Sequence, residues 1–279
     1  MKTILCAVDY SENAVTALKF AYTLSTKIDA SLFVIHIFDL PTLSSDLDDP
    51  YFLSEGAVLE KRNSKLKEFC IRNLNCDLNK MNVKTEAIED NSVVNGIISK
   101  AVELSAYIIV AGMKGENILN LIMGSTTQQL LEKAPCPIFA IPNNMTLKQI
   151  KTIVYASDFE EEDIAAINKL TEIIKPFKSK IKVVHISAKN EYDAKLLMEW
   201  FKELLKQKVK YKEIAFEVMS SEDVFNSLKT YLKDSDANMV AMMERKKTGF
   251  IKKILHRDLV KRMESFGEIP LISFNEANY

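Results

Sequence analysis

Glycine is scarce in this chain, which carries only 7 glycines among 279 residues. That is about a third of the usual frequency, so the positions that keep a glycine are informative. The chain has no GxxxxGK[ST] loop, and no GxGxxG follows its first predicted strand. The two commonest glycine-rich nucleotide motifs are therefore absent.

The chain also has few cysteines, a net charge close to zero and no long apolar run. The 4 cysteines have no CxxC spacing, which favours reduced thiols over a metal or redox site. The 37 basic residues nearly balance 38 acidic ones, so global charge does not argue for a nucleic-acid or membrane partner. Nothing resembles a signal peptide, and no apolar stretch approaches the ~20 residues that span a bilayer. We therefore expect a cytoplasmic protein that binds neither nucleic acid nor membrane.

The chain repeats itself at an offset of 149 residues. The segment KTILCAVDY (2–10) matches KTIVYASDF (151–159), and the same offset aligns His36 with His185. Two matches in one register indicate a duplication. Because the second half lacks the glycines described below, the recurring histidine suggests a structural hydrogen bond at a strand end.

Apolar strand-like runs alternate with amphipathic helical stretches in each half. The predicted strands are 3–8, 31–37, 83–88, 106–111 and 137–141, then 151–156, 181–186, 214–219, 237–242 and 270–274. The predicted helices are 11–27, 57–75, 92–104 and 125–133, then 160–175, 190–208, 221–233 and 256–265. We expect the apolar stripe of helix 190–208 to pack on its own sheet. The alternation predicts an α/β fold with two tandem, doubly wound parallel sheets, over residues 1–145 and 150–279.

Three of the seven glycines follow the fourth predicted strand within thirteen residues: Gly112, Gly115 and Gly124. Glycine lets the backbone approach a ligand closely. Free amides at a helix start attract phosphate, and Ser125 and Thr126 add hydroxyl donors there. The glycines would equally permit a turn and a helix cap, so these residues alone leave both interpretations open.

Asp9 directly follows the first predicted strand. In open α/β sheets, ligands bind beyond the carboxyl ends of the strands. If the first and fourth strands are neighbours, Asp9 lies beside the glycines, where its carboxylate can accept hydrogen bonds from ribose hydroxyls.

Several of these features together resemble the universal stress protein family: VDYSENAVTALKFA (8–21), the GxxG, the GS pair and APCPIFAI (134–141). The resemblance covers both halves, so it implies a tandem member whose two domains pair within one chain, with a further homodimer left open. Each domain would be a five-stranded parallel sheet in the order 3-2-1-4-5, of the adenine nucleotide alpha hydrolase-like type. The family implies a stress-response function with an unidentified protein partner.

One branch of this family binds ATP through a G-x2-G-x9-G-(S/T) pattern. The resemblance implies ATP, AMP or ADP as ligand, with Mg²⁺ as a companion ion, and no catalytic or metal-ligating side chain. The implied nucleotide-binding residues are Ala7, Asp9, Ile37, Ala111, Gly112, Gly115, Gly124, Ser125 and Thr126.

The sequence departs from that pattern because eight residues, not nine, separate Gly115 from Gly124. Two hypotheses therefore stay open. In the first, the chain is a regulatory adenine-nucleotide binder and at most a slow ATPase. In the second, it is a nucleotide-free scaffold that acts through domain pairing and protein partners.

The second half has lost the glycine loop. Met243 and Lys246 align with the first two glycines, and His256-Arg257 aligns with the third glycine and its serine. Side chains there take the place where backbone would touch phosphate, so we expect no nucleotide in this half. The basic residues between 245 and 262 are interpreted as a solvated face.

Overall fold

The computed structural model describes residues 1–39, 55–78, 81–113, 125–143, 145, 150–187, 191–245 and 269–279. Its strands are β1 (Lys2–Ala7), β2 (Ala30–Phe38), β3 (Val83–Glu89), β4 (Ile108–Gly112), β5 (Ile138–Ile141), β6 (Thr152–Ala156), β7 (Lys180–Ser187), β8 (Ile214–Ser220), β9 (Met239–Glu244) and β10 (Leu271–Asn275). Its α-helices are α1 (Glu12–Ile28), α2 (Glu55–Leu74), α3 (Val93–Glu103), α4 (Ser125–Lys133), α5 (Glu161–Ile174), α6 (Glu191–Lys208) and α7 (Val224–Asp234). The helix predicted over 256–265 lies outside the described residues.

The strands form one ten-stranded sheet in the order β3-β2-β1-β4-β5-β10-β9-β6-β7-β8. Each half contributes five parallel strands in the order 3-2-1-4-5, which confirms the predicted fold class. The halves meet where β5 and β10 pair antiparallel, with Phe139 opposite Ile272. The strands of the two halves therefore run in opposite directions, and their carboxyl ends lie at opposite ends of the strands across the sheet.

Buried parallel strands explain why the apolar runs could be recognised. Ile4, Leu5 and Cys6 of β1 are all fully buried, because helices cover both faces of the sheet. Helix α1 is capped by Ser11, whose side chain accepts a hydrogen bond from the Ala14 amide at 3.2 Å. The polar turn that starts this helix thus lies immediately after the carboxyl end of β1.

Helix α6 follows its prediction only in part. Phe201 and Leu205 are buried against the sheet, as expected from their spacing. Leu196, Leu197 and Trp200 are 56%, 39% and 46% exposed. The apolar stripe is therefore wider than the arc of the helix that the sheet covers. Among the described residues, no helix combines the length and apolarity needed to cross a bilayer.

Side chains also connect the two halves. The Asn275 side chain donates to the Glu132 carbonyl at 2.7 Å. The Tyr107 hydroxyl donates to the Glu172 carboxylate at 3.1 Å, and Lys169 Nζ lies 3.5 Å from the centroid of the same ring. These contacts fix the geometry of the pair beyond the backbone hydrogen bonds between β5 and β10.

Candidate functional site

A cavity of about 260 Å³ lies at the carboxyl ends of β1, β2 and β4 in the first half. Its volume is near the lower end of the range for small-molecule pockets. Six predicted nucleotide-binding residues line it: Ala7, Asp9, Ile37, Ala111, Gly112 and Thr126. Ser125 begins α4 next to the cavity, whereas Gly115 and Gly124 lie outside the described residues.

Two helices begin at this cavity. Ser11 and Asn13 line it from the start of α1, and Thr126 and Thr127 line it from the start of α4. The partial positive charge at each helix N-terminus favours an anion. No lysine or arginine is among the described lining residues, where the helix starts and the backbone amides are the sources of positive potential. Asn13 is not among the predicted site residues, although the predicted helix start after the first strand could have indicated it.

Asp9 is held in place by the cap of α1. Its Oδ1 accepts hydrogen bonds from the Ser11 amide at 3.1 Å and from the Ser11 hydroxyl. Its Oδ2 accepts no hydrogen bond from any residue that the structure describes. The carboxylate is thus oriented at the rim of the cavity and retains one acceptor oxygen for a ligand hydroxyl.

Gly112 lies where β4 passes close to the first turn of α1. A Cβ atom at this position would come within 2.8 Å of the Asn13 carbonyl carbon and oxygen. Backbone cannot move away as a flexible side chain would, so this close approach requires glycine. In the second half Met243 takes the equivalent position and is only 2% exposed, so the fold there accommodates a buried side chain where the first half has none.

Both recurring histidines make the structural hydrogen bond that their repetition suggested. Nδ1 of His36 donates to the Val8 carbonyl, and Nδ1 of His185 lies at the same 2.8 Å from the Ser157 carbonyl. The tautomer of His36 follows from its acceptor, because a carbonyl oxygen needs a donor. Each bond ties the end of the second strand of its half to the segment that follows the first.

The hydrogen-bonded His36 gives the first half a pH-dependent stability. Burial lowers the pKa of His36 below 6.5, although the hydrogen bond to the Val8 carbonyl opposes that shift. The nearby cations Arg62 and Lys65 lower the pKa further, and Asp9 raises it slightly. The neutral ring is therefore favoured in the fold. Its stabilisation is present above the unfolded-state pKa and is lost as pH falls through the lower folded-state pKa.

We expect the melting temperature of the wild type to fall between pH 7 and pH 5 more steeply than that of His36→Asn. The asparagine amide can still donate to Val8 but does not titrate. Differential scanning calorimetry across this pH range measures both profiles. Parallel profiles would show that His36 does not contribute to the pH dependence.

Comparison with known proteins identifies the family. The model of the universal stress protein family matches residues 1–142. The chain belongs to this family. The chain matches none of the curated proteins.

Two solved universal stress proteins have the same fold over nearly the whole chain. One from Archaeoglobus fulgidus has a TM-score of 0.72 and 16% identity, and the match covers 98% of both chains. A putative one from Pseudomonas aeruginosa has a TM-score of 0.64 and 15% identity, covering 99% of this chain and 93% of that one. A universal stress protein in complex with cAMP matches 51% of this chain and 98% of its own, with a TM-score of 0.38 and 13% identity.

In the second half of this universal stress protein, Arg245 occupies the carboxyl end of the sheet. Its side chain is 11% exposed, with Nη2 3.0 Å from Asp163 Oδ1 and Nη1 2.9 Å from Glu160 Oε2. Glu162, Asp158 and Glu276 lie between 3.5 and 3.9 Å from the same guanidinium. The basic residues around Arg245 in the sequence suggested a solvated face. Arg245 is not part of one.

The carboxylates around Arg245 replace residues that line the cavity of the first half. By the 149-residue offset, the exchanges are Ser11 to Glu160, Asn13 to Glu162 and Ala14 to Asp163, while Asp9 remains as Asp158. Carboxylates repel phosphate, and the guanidinium compensates their charge. That the second half holds no nucleotide stays a prediction, for which these carboxylates give a physical reason.

Asp163 is the buried centre of this group. It is 1% exposed and accepts hydrogen bonds from the Tyr155 and Ser157 hydroxyls, both at 2.8 Å. Burial raises the pKa of Asp163, while Arg245 and the two hydroxyls oppose that rise. Arg245 therefore stabilises the negative charge of the buried Asp163 carboxylate.

Proposed function

We propose that this protein is a cytoplasmic regulator of the stress response that binds ATP or a related adenine nucleotide in its first half. The observation that carries the proposal is the convergence of two helix N-termini and Asp9 on one cavity. Its position agrees with the general location of ligands at the carboxyl ends of parallel strands.

Each part of the nucleotide has a proposed set of contacts. Asp9 would accept hydrogen bonds from the ribose, and the backbone at Ala7, Ile37 and Ala111 would lie along the adenine. The start of α4, with Ser125 and Thr126, would bind the phosphates together with the backbone at Gly112. By resemblance to the family pattern, Gly115 and Gly124 would complete the phosphate contacts, with Mg²⁺ as a companion ion.

We propose that any hydrolysis of the nucleotide is slow. Rapid phosphoryl transfer needs cationic groups at the transferred phosphate and a residue that orients the attacking water. The described lining residues include no lysine or arginine, and their single carboxylate, Asp9, is bound to Ser11. Binding would therefore signal the presence of nucleotide and would not consume it, which suits a regulator that acts through a protein partner.

The alternative is a universal stress scaffold without nucleotide. The eight-residue spacing between Gly115 and Gly124 favours it, because one missing residue shifts Ser125 relative to the glycines. The paired halves would then be the functional unit, and protein partners would bind to their surface.

Thermal unfolding with and without Mg-ATP distinguishes the two functions. Ligand at a hundred times its dissociation constant adds about 2.7 kcal/mol to the stability of the folded state. We expect ATP to raise the unfolding temperature more than GTP or inorganic tripolyphosphate, because the base and ribose also make contacts. No shift at millimolar ATP would favour the scaffold.

A further inference from the structure

The two outer edges of the ten-stranded sheet differ in how their backbone groups are satisfied. Strand β3 forms one edge. The outward amide of Val83 donates to the Leu78 carbonyl at 3.2 Å, and that of Ala87 donates to the Asn63 side chain at 2.8 Å. Helix α2 and the turn before β3 thus cover part of this edge.

Strand β8 forms the other edge, and no described residue accepts a hydrogen bond from its outward amides. The Ile181 amide donates to the Glu213 carbonyl, and the Ser221 amide donates to the Ser187 carbonyl. Odd-numbered residues of β8 therefore face β7. The outward amides are those of Ile214, Phe216, Val218 and Ser220, and none of them has a hydrogen-bond partner in the described part of the chain.

Proteins usually protect an exposed edge with charges, proline or a covering segment, because an open edge pairs with another strand. Strand β8 has one charged side chain, Glu217, in seven residues. By contrast, β3 carries Lys84, Glu86 and Glu89 in addition to its covered amides. The β8 edge is therefore the one suited to pair with another strand.

We infer that β8 pairs antiparallel with β8 of a second copy of this chain, with Phe216 at the centre of the register. This register places Ile214 opposite the partner's Val218, so their outward amides and carbonyls meet as hydrogen-bonded pairs. Glu217 lies opposite the partner's Ala215. A register centred on Glu217 would instead place two carboxylates directly opposite each other, which is unfavourable.

Two copies paired in this way are related by a two-fold axis through Phe216, and the charges on α6 are compatible with that axis. Lys202 pairs with Glu199, and Lys206 pairs with Glu203, each at 2.6 Å within the helix. An antiparallel copy of α6 would place Glu199 opposite the partner's Lys206, and Lys202 opposite the partner's Glu203. The pattern is thus complementary to itself, which favours a second copy as the occupant.

The strand register and the helix charges are centred at one level of the molecule. Lys202 Nζ lies 5.5 Å from the centroid of the Phe216 ring, and that ring is 6.3 Å from the Phe201 ring. The centre of the charge pattern therefore lies over the centre of the strand register. Because β8 is the strand farthest from the first half, such a dimer leaves both nucleotide cavities accessible.

Sedimentation of the full-length protein tests the dimer. We expect the wild type at micromolar concentration to have twice the 31.7 kDa mass of one chain. Val218→Pro removes one outward amide, a change that edge strands tolerate, and should leave a folded monomer. Thr85→Pro is the matched control, because it removes an outward amide from the β3 edge and should leave the dimer intact.

A charge exchange tests the contribution of α6 without altering the backbone. Lys202→Glu with Lys206→Glu should weaken the dimer by at least about tenfold. Adding Glu199→Lys and Glu203→Lys restores the complementary pattern and should restore the dimer. A monomeric wild type at 100 µM, a dimer unaffected by Val218→Pro, or a four-residue exchange that fails to restore pairing would each overturn the inference.

Discussion

Gly112→Ala is expected to abolish the stabilisation of this protein by adenine nucleotide. The added Cβ would lie 2.8 Å from the backbone of Asn13, so the first turn of α1 must move away from β4. That turn carries Ser11, which orients Asp9, and both residues line the cavity. Overpacking of this kind costs about 1–3 kcal/mol of folding stability in addition to the lost binding.

Gly56→Ala is the matched control for this substitution. A Cβ at Gly56 meets no atom within 4 Å, so alanine in helix α2 should leave the structure unchanged. Alanine also favours the helix, by up to about 1 kcal/mol. Thermal unfolding with and without Mg-ATP should show a normal nucleotide response for Gly56→Ala and none for Gly112→Ala. An undiminished response in Gly112→Ala would place the nucleotide elsewhere.

Arg245→Ala is expected to destabilise the second half by about 3–5 kcal/mol, because it leaves a buried charge without its partner. The uncompensated group is Asp163, which is 1% exposed. Since burial raises the pKa of Asp163, lowering the pH should protonate it in the fold and recover part of the lost stability. Denaturant unfolding at pH 7 and pH 5 measures both effects.

A double-mutant cycle with Asp163→Ala separates the ion pair from the other contacts of Arg245. If the two groups compensate each other, the double variant should be more stable than the sum of the single losses predicts. The response to nucleotide should remain intact, because the cavity lies in the first half, at the carboxyl ends of its strands, and Arg245 lies in the second half. Simple additivity, or a wild-type unfolding midpoint in Arg245→Ala, would contradict the role given to Arg245.

Most of the fold could be predicted because its strands are buried on both faces. Continuous apolar runs such as 3–8 and 31–37 identify such strands without homologous sequences. The predicted helix 125–133 ends at Lys133 in the structure, as expected, and it is helical from Ser125, the first described residue of this segment. The duplicated motifs then implied that both halves share one strand order, which the sheet confirms.

The features that were missed depend on distant contacts. Arg245 belongs to a run of basic residues, which usually indicates a solvated surface. Its partners Asp158, Glu160 and Asp163 lie more than 80 positions earlier in the sequence. Similarly, the need for glycine at 112 comes from the backbone of α1, which no local pattern near β4 could reveal.

The two halves of the molecule thus present opposite environments at equivalent positions. The first has a single carboxylate, Asp9, and two helix starts around an open cavity, whereas the second has several carboxylates around its own guanidinium. This asymmetry is the central claim, since it restricts the proposed binding to one half.

Calorimetric titration of the full-length protein with Mg-ATP tests that claim most directly, because it counts the sites. One nucleotide should bind per chain, with heat that disappears in Gly112→Ala and persists in Arg245→Ala. Two equivalents per chain, or one equivalent that survives in Gly112→Ala, would contradict the account.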